Sequence, residues 1–189
     1  MYMIIGVPCS GKTTLAEEVC KKANIELVNF ADIMHKTAVE NGFQGTRDDM
    51  RKILSTDELK EYQIKTFKKI IDTEKQGKKI MVDTHAFIPL GNEEYQNGFP
   101  FEVHETLKGN VDWWIFVYVS PEELLQRIKE DKSRSRKELE NINTIKKLIN
   151  MEKSAVLNYA IIMGGYYMDL NNDGPPGSMV LPVLKALKR

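Results

Sequence analysis

The stretch Gly6-Val7-Pro8-Cys9-Ser10-Gly11-Lys12-Thr13-Thr14 constrains this chain more than any other. It follows the apolar run Tyr2 to Ile5 and precedes a segment in which Leu15, Val19 and Ala23 recur at helical spacing. A glycine-bearing loop between a buried strand and an amphipathic helix lets backbone N–H groups turn inward around phosphate oxygens. Lys12 is then expected to reach the β and γ phosphates of a nucleoside triphosphate. The Thr13 hydroxyl is expected to bind Mg²⁺, and the helix points its positive N-terminal end at the anion.

Short apolar runs alternate with helical patterns along the rest of the chain, which predicts a parallel sheet covered by helices. The expected strands are 2–5, 26–30, 79–83, 113–119 and 166–170. Asn24 is the expected end of the first helix. Between the second and third strands lie three helical patterns, more than a simple crossover needs, which suggests an inserted acceptor-binding subregion. The first runs near Ile33 to Asn41 and stops at Gly42. The second opens at Thr46-Arg47-Asp48-Asp49, where the Thr hydroxyl is placed to cap. The third opens on the capping box Ser55-Thr56-Asp57-Glu58, carries Leu59, Tyr62, Thr66, Phe67 and Ile70 on one stripe, and ends at Gly77. Ser120-Pro121-Glu122-Glu123 reads as another capping box with proline at the first helical position. Lys129 to Glu138 holds no apolar side chain; a long helical pattern then runs to Met163 and breaks at Gly164-Gly165. A strand, the turn Asn171 to Gly177 and a helix near Ser178 to Leu187 complete the chain. Trp113 and Trp114 are adjacent on a strand, so they are expected to face opposite ways.

The 189 residues suit one domain with one core, and 27 basic side chains balance 27 acidic ones. That neutrality argues against nucleic acid as a partner. No apolar run reaches the roughly 18 residues of a membrane span. The start, MYMIIGVPCS, lacks the basic residues of a secretory signal, and a cytoplasmic protein is expected. Cys9 and Cys20 have neither disulfide-framework nor zinc-site spacing.

In Ile80 to His85, an acid at the carboxyl end of a strand is expected beside the phosphate loop, so Asp83 is a candidate to hold Mg²⁺ through its waters. Thr84 follows it, not the glutamate by which many ATPases activate water. No Asn-Lys-x-Asp segment is present, which argues against a guanine-specific switch. His85 is open to two readings, a phosphate contact or a structural, hydrogen-bonded histidine. Arg47 and Arg51 stand four residues apart on one helix face; Arg127 lies late in the helix after the fourth strand, and Arg134 and Arg136 lie in the apolar-free run. Phosphoryl transfer between two polyanions needs several fixed cations, and the planar fork of arginine suits that task. Three function classes remain open. One is a nucleoside monophosphate kinase. Another is a kinase of a small hydroxyl metabolite, in the manner of shikimate or gluconate kinases, with Asp32 as the base. The third is a P-loop ATPase that assists ribosome or ribonucleoprotein assembly.

On GVPCSGKTT, NFADIM, RDDMRKI, VDTHA, a short Arg-x-Arg lid and a closing strand and turn, the chain resembles the archaeal-type adenylate kinases over nearly its whole length. The resemblance implies an α/β P-loop NTPase fold: a five-stranded parallel sheet flanked by helices, with a helical NMP-binding insertion and a short lid. Residues 1–30, 77–128 and 139–189 would form the core, 31–76 the insertion and 129–138 the lid. It implies reversible transfer from Mg·ATP to AMP, giving two ADP, in a homotrimer. By position, Gly6, Val7, Pro8, Cys9, Ser10, Gly11, Lys12, Thr13 and Thr14 would hold the ATP phosphates, and the turn with Asn171 and Asp173 would pack the adenine. Arg47 and Arg51, with Asp32 and His85, would hold AMP. Lys12, Arg127, Arg134 and Arg136 would act on the transferring group, and Thr13 and Asp83 on Mg²⁺. The chain departs from the family at FIPLGNEEYQNGFPF, and Gln126 precedes Arg127 where paired arginines are common. The lid has no cysteine, which excludes the zinc lid of long-form relatives.

Overall fold

The computed structural model describes residues 1–47, 49–91, 94–131, 136 and 139–188. Strand β1 (Tyr2–Gly6) is buried along its whole length. It pairs in parallel with β3 (Ile80–Thr84) and β6 (Trp113–Tyr118). The edges are β2 (Glu26–Asn29) and β7 (Tyr166–Asn171), giving a five-stranded parallel sheet in the order β2-β3-β1-β6-β7. Alternation along each strand splits the core into two layers. Met3, Ile5, Trp114 and Phe116 face one side; Tyr2, Ile4, Trp113 and Ile115 face the other. Trp114 donates its Nε1–H to the Gly164 carbonyl (2.8 Å), while Trp113 packs on Tyr166 with ring centres 5.0 Å apart.

Helices α1 (Lys12–Ala23) and α8 (Val180–Ala186) cover the Tyr2/Ile4 face. As expected, α1 ends at Asn24, whose left-handed backbone (φ 55°) lets its N–H reach the Cys20 carbonyl. The opposite face is covered by α4 (Thr56–Lys75), α6 (Pro121–Glu130) and α7 (Ile142–Met163). A short 3₁₀ turn, Phe101–Val103, and the one-turn helix α5 (His104–Leu107) precede β6.

The insertion consists of α2 (Phe30–Glu40), the single turn α3 (Met50–Ile53) and α4. Helix α2 starts three residues earlier than expected. Asn29 Oδ1 accepts from the N–H groups of Ala31 (3.1 Å) and Asp32 (3.3 Å), so capping chemistry ends the strand before Phe30. Thr46 does not cap α3. Its N–H and hydroxyl both donate to Asp49 Oδ2, at 2.9 and 2.6 Å. The box at α4 forms as read: Ser55 Oγ accepts from Glu58 N–H and Glu58 Oε2 accepts from Ser55 N–H. The box at α6 does not form, because the Glu123 carboxylate is drawn to Arg127 Nε (2.7 Å) and Ser120 makes no side-chain cap. An aromatic chain welds the insertion to the core. Phe30 and Phe67 lie 4.5 Å apart, Phe67 and Phe99 5.1 Å, Phe99 and Tyr159 4.7 Å. Each such pair adds about 0.5–1.5 kcal/mol beyond its burial.

One element was absent from the sequence reading. Residues of FIPLGNEEYQNGFPF form an antiparallel hairpin, β4 (Phe87–Gly91) with β5 (Glu94–Asn97), outside the main sheet. Pro89, and a register shift between it and Gly91, break the regular alternation that would have marked a strand.

Candidate active site

The loop between β1 and α1 is built from strained and braced positions. Cys9 is left-handed at φ 63°, a conformation that costs a non-glycine residue about 1–2 kcal/mol. Gly11 lies at φ 79°, and a Cβ there would stand 2.6 Å from Asn172 Nδ2. That amide fixes the loop from outside by donating to the Ser10 carbonyl (2.8 Å), and Asn172 N–H is itself held by the Tyr118 carbonyl (2.7 Å). Sequence reasoning chose the neighbours. Asn171 Oδ1 accepts from Asp173 N–H (2.9 Å) and Asp173 Oδ1 from Ser120 N–H (2.7 Å), so both tie the turn together beside the loop.

From β3, Asp83 meets the head of α1. Its carboxylate is ion-paired with buried Lys12 and accepts from Thr13 Oγ1 (2.6 Å). An ammonium, a hydroxyl and a carboxylate thus converge at the mouth of the loop. They floor a cleft of about 1020 Å³ bounded by residues 7–14, the insertion and the β4–β5 hairpin.

His85, one residue beyond β3, lines the same cleft. Burial, and then the positive charge of Lys12, Arg51 and Arg47, push its imidazole well below its usual range, although the Gly6 carbonyl works the other way. It is therefore neutral at pH 7, with Nδ1 buried and lacking a partner among the described residues.

The opposite wall carries Arg47, Arg51 and Lys52. Arg47 Nη1 donates to Asp32 Oδ1 (2.8 Å) at the first turn of α2, while Arg47 Nε is buried with no partner among the described residues. Arg136 also lines the cleft, paired with Asp131, whose Oδ2 accepts from the Cys9 thiol at 3.7 Å. Burial raises that thiol above its usual pKa, so Cys9 is a loop filler and a poor nucleophile. Arg127 stays behind the loop, bonded to Glu123 and, through Nη2, to the Asn172 carbonyl (3.2 Å). Arg134 lies outside the described residues.

Three further residues shape the cleft. Asn172 is described above. Gln63 is 3% exposed on α4 and lines the cleft, and its Nε2 donates to the Asn97 carbonyl (3.0 Å). Glu152, fully buried on α7, accepts from the N–H groups of Ala86 (3.0 Å) and Phe87 (3.2 Å), and so holds the start of the hairpin. Burial pushes its carboxyl up to about 7 against the pull of those two bonds and of Lys12. A signal for both was present: each interrupts an otherwise apolar helical stripe, Gln63 between Leu59 and Phe67, Glu152 between Ile149 and Val156.

Among the described residues no cluster of three or more His, Cys, Asp or Glu side chains could hold a metal by itself. Thr13 and Asp83 supply the hard oxygen donors that suit Mg²⁺, an ion that fills its remaining positions with water and phosphate.

Comparison with known proteins agrees with this geometry. A family model described as an AAA domain matches residues 5–146. An adenylate kinase from Thermococcus onnurineus is 36% identical over 165 residues, covering 85% of this chain and 80% of the relative. Another, from Sulfurisphaera tokodaii, is 32% identical over 196 residues, covering 98% and 97%. A third, from Methanocaldococcus jannaschii, is 36% identical over 179 residues, covering 91% and 89%. Among solved structures, a shikimate kinase from Bacteroides thetaiotaomicron superposes with a TM-score of 0.64 at 14% identity, over 100% of this chain and 98% of that one. A deoxyadenosine kinase from M. mycoides gives 0.60 at 15% identity, over 100% and 99%. At such identities the structural likeness speaks for the kinase fold alone, whereas the sequence matches span the phosphate loop, the insertion and Asp83 together. The chain belongs to the adenylate kinase family.

Proposed function

We propose that this chain transfers the terminal phosphoryl group of Mg·ATP to AMP, giving two ADP, and runs the reaction in both directions. The observation that carries the reading is that one cleft holds two separate cationic stations, Lys12 on its floor and Arg47 with Arg51 on its far wall. Two polyanions can be seated there facing each other, with their repulsion offset by fixed charge.

In this reading residues 6–14 take the ATP phosphates on loop amides and Lys12, and the turn with Asn171 and Asp173 borders the adenine. Lys12 exchanges part of its Asp83 contact for phosphate. Thr13 and Asp83 would hold Mg²⁺, which would supply neutralising charge to the phosphates. Arg51 and Arg47 clamp the acceptor phosphate. Asp32 orients Arg47, and His85, being neutral, donates a hydrogen bond without adding charge. The lid, 129–138, brings Arg134 and Arg136 over the transferring group and excludes water, while Arg127 steadies the loop from behind. Residues 1–30, 77–128 and 139–189 act as the rigid core and 31–76 as the acceptor-binding part. We further propose a cytoplasmic homotrimer; no helix among the described residues is long and apolar enough to cross a membrane.

A monophosphate acceptor presents an anionic oxygen and needs no general base, whereas a hydroxyl acceptor does. Asp32 and Asp83 are both engaged, with Arg47 and with Lys12 and Thr13, which weighs against a metabolite kinase on the shared fold. The test is ADP formation from Mg·ATP with AMP, GMP, CMP, UMP, shikimate or no acceptor. Rapid ADP formation with AMP is expected. Slow hydrolysis that ignores every acceptor would sink the kinase reading and point to RNA or protein partners.

A further inference from the structure

Within residues 83–90 every side chain but Ala86 lines the cleft, and Ala86 is buried in the core instead. This is the corner where the chain leaves the main sheet. Strand β3 ends at Thr84, next to Asp83, and the hairpin begins at Phe87. Three main-chain polar groups of the corner are engaged. The N–H groups of Ala86 (3.0 Å) and Phe87 (3.2 Å) donate to the two oxygens of Glu152, and the Ala86 carbonyl accepts from Gly98 N–H (2.7 Å) just after β5. A Cβ on Gly98 would stand 2.1 Å from the His85 carbonyl oxygen, so the two sides of the corner are in close contact.

The hairpin belongs to a sheet of its own. Phe87 and Tyr95 pack on the core, and Gln63 and Tyr159 bond to Asn97. Glu152 grips the corner itself, from a helix remote in sequence. A side chain that accepts twice needs two free oxygens. An ionised carboxylate has them; protonation makes one a hydroxyl, a poorer acceptor whose hydrogen needs a partner of its own.

We propose that Glu152 is a positioning residue for the acceptor: its ionised carboxylate, by holding the Ala86 and Phe87 amides together, sets the hairpin wall of the cleft against Asp83 and His85. This rests on the reading of the cleft as a monophosphate kinase site and adds what governs acceptor affinity there. The donor loop is braced separately, by Asn172 on the Ser10 carbonyl, so the effect is confined to the acceptor.

Proton uptake by Glu152 should loosen the corner, and its carboxyl titrates at about 7. The charged and titratable groups that act on or with it are Lys12 at the head of α1 and, on its own helix, Tyr159, whose hydroxyl burial and the Glu152 charge push upward. Elsewhere around α7, Lys153 pairs with Asp169 of β7 beside Tyr118 of β6, Arg127 and Glu123 of α6 pair with each other, and His104 of α5 packs on Tyr159. Strand β4 has no titratable residue, Tyr2 of β1 lies in the other layer, and His85 is held neutral.

The test is the KM for AMP and for ATP, with kcat, of wild type and Glu152→Gln between pH 6 and 8.5. Glutamine keeps the shape and one acceptor but turns a donor toward the second N–H. At pH 8.5 the variant should show a KM for AMP raised about tenfold, with KM for ATP and kcat within about twofold. The ratio of variant to wild-type KM for AMP should shrink toward one as pH falls to 6, because the wild type is then protonated. That ratio also cancels the ionisation of the AMP phosphate itself, at about 6. A merely structural glutamate would give losses shared by both substrates or independent of pH, and either result overturns the proposal while leaving the kinase standing. Should the variant not fold, the wild-type amide signals of Ala86 and Phe87 decide by nuclear magnetic resonance. They should move together with one midpoint near pH 7, and signals that stay fixed overturn the proposal. Wild type that makes no ADP from any monophosphate would overturn both readings.

Discussion

The two walls of the cleft are built differently. The donor wall is a turn of nine consecutive residues, 6–14, set on the ends of buried strands and closed by Lys12, Thr13 and Asp83. The acceptor wall is assembled from distant pieces: Arg47 with Asp32 across 15 residues, Gln63 with Asn97 across 34, Glu152 with Ala86 across 66. One is rigid because strands on both sides of β1 hold it. The other is a lattice of single hydrogen bonds between an insertion, a hairpin and α7. The difference teaches where each property sits. In the proposed reading the phosphate chemistry sits on the sheet, and the acceptor is met by elements held to it through single hydrogen bonds.

The contrast is tested most severely by Lys12→Ala. It should remove transfer almost completely, by roughly 10³-fold or more in kcat, as fixed charge at the transferring group is the main catalytic device. Single-turnover rates check this, and a variant retaining a tenth of wild-type kcat would break the reading of the donor wall. Glu152→Gln comes next and addresses the acceptor wall through stability. The folded-state carboxyl of Glu152 sits at about 7 against an ordinary 4.5, so the folded protein binds the extra proton. Its contribution to stability is complete below about 4.5 and is lost as pH rises through about 7, by roughly 3 kcal/mol. Thermal unfolding of wild type and Glu152→Gln between pH 4.5 and 8 should therefore give curves that draw together or cross as pH rises. Parallel curves would show that Glu152 does not titrate there.

Arg136→Ala should lower kcat roughly 10- to 100-fold while changing the Kd for AMP far less, since Arg136 pairs with Asp131 beside Cys9, away from the Arg47–Asp32 pair. Unchanged kcat would remove Arg136 from the catalytic set. The smallest effect is expected at Asp32→Asn. Exposed ion pairs contribute about 0.2–1 kcal/mol, so KM for AMP should shift by no more than about fivefold. A loss of kcat beyond a hundredfold would instead revive Asp32 as the base of a hydroxyl-metabolite kinase.

What the sequence determined by itself is what neighbouring residues decide together. Gly6 to Thr14 carries its own geometry, Ser55 and Glu58 cap each other across three residues, and alternation placed Trp113 and Trp114 on opposite faces. The central parallel strands β1, β3 and β6 also announced themselves, being buried on both sides and therefore largely apolar. The tertiary structure decided whatever depended on competition among distant partners. Ser120 and Glu123 have the spacing of a capping box, but Arg127 outbids the cap because a charge-assisted bond is stronger than one to a backbone N–H. The turn after β7 reads as a row of equivalent polar residues, and only the approach of Ser10 to Gly11 selects Asn172. Gln63 and Glu152 appear in sequence as blemishes on apolar stripes. Their partners, the Asn97 carbonyl and the amides of Ala86 and Phe87, are main-chain groups that every residue carries, so no side-chain pattern could name them before the chain folded.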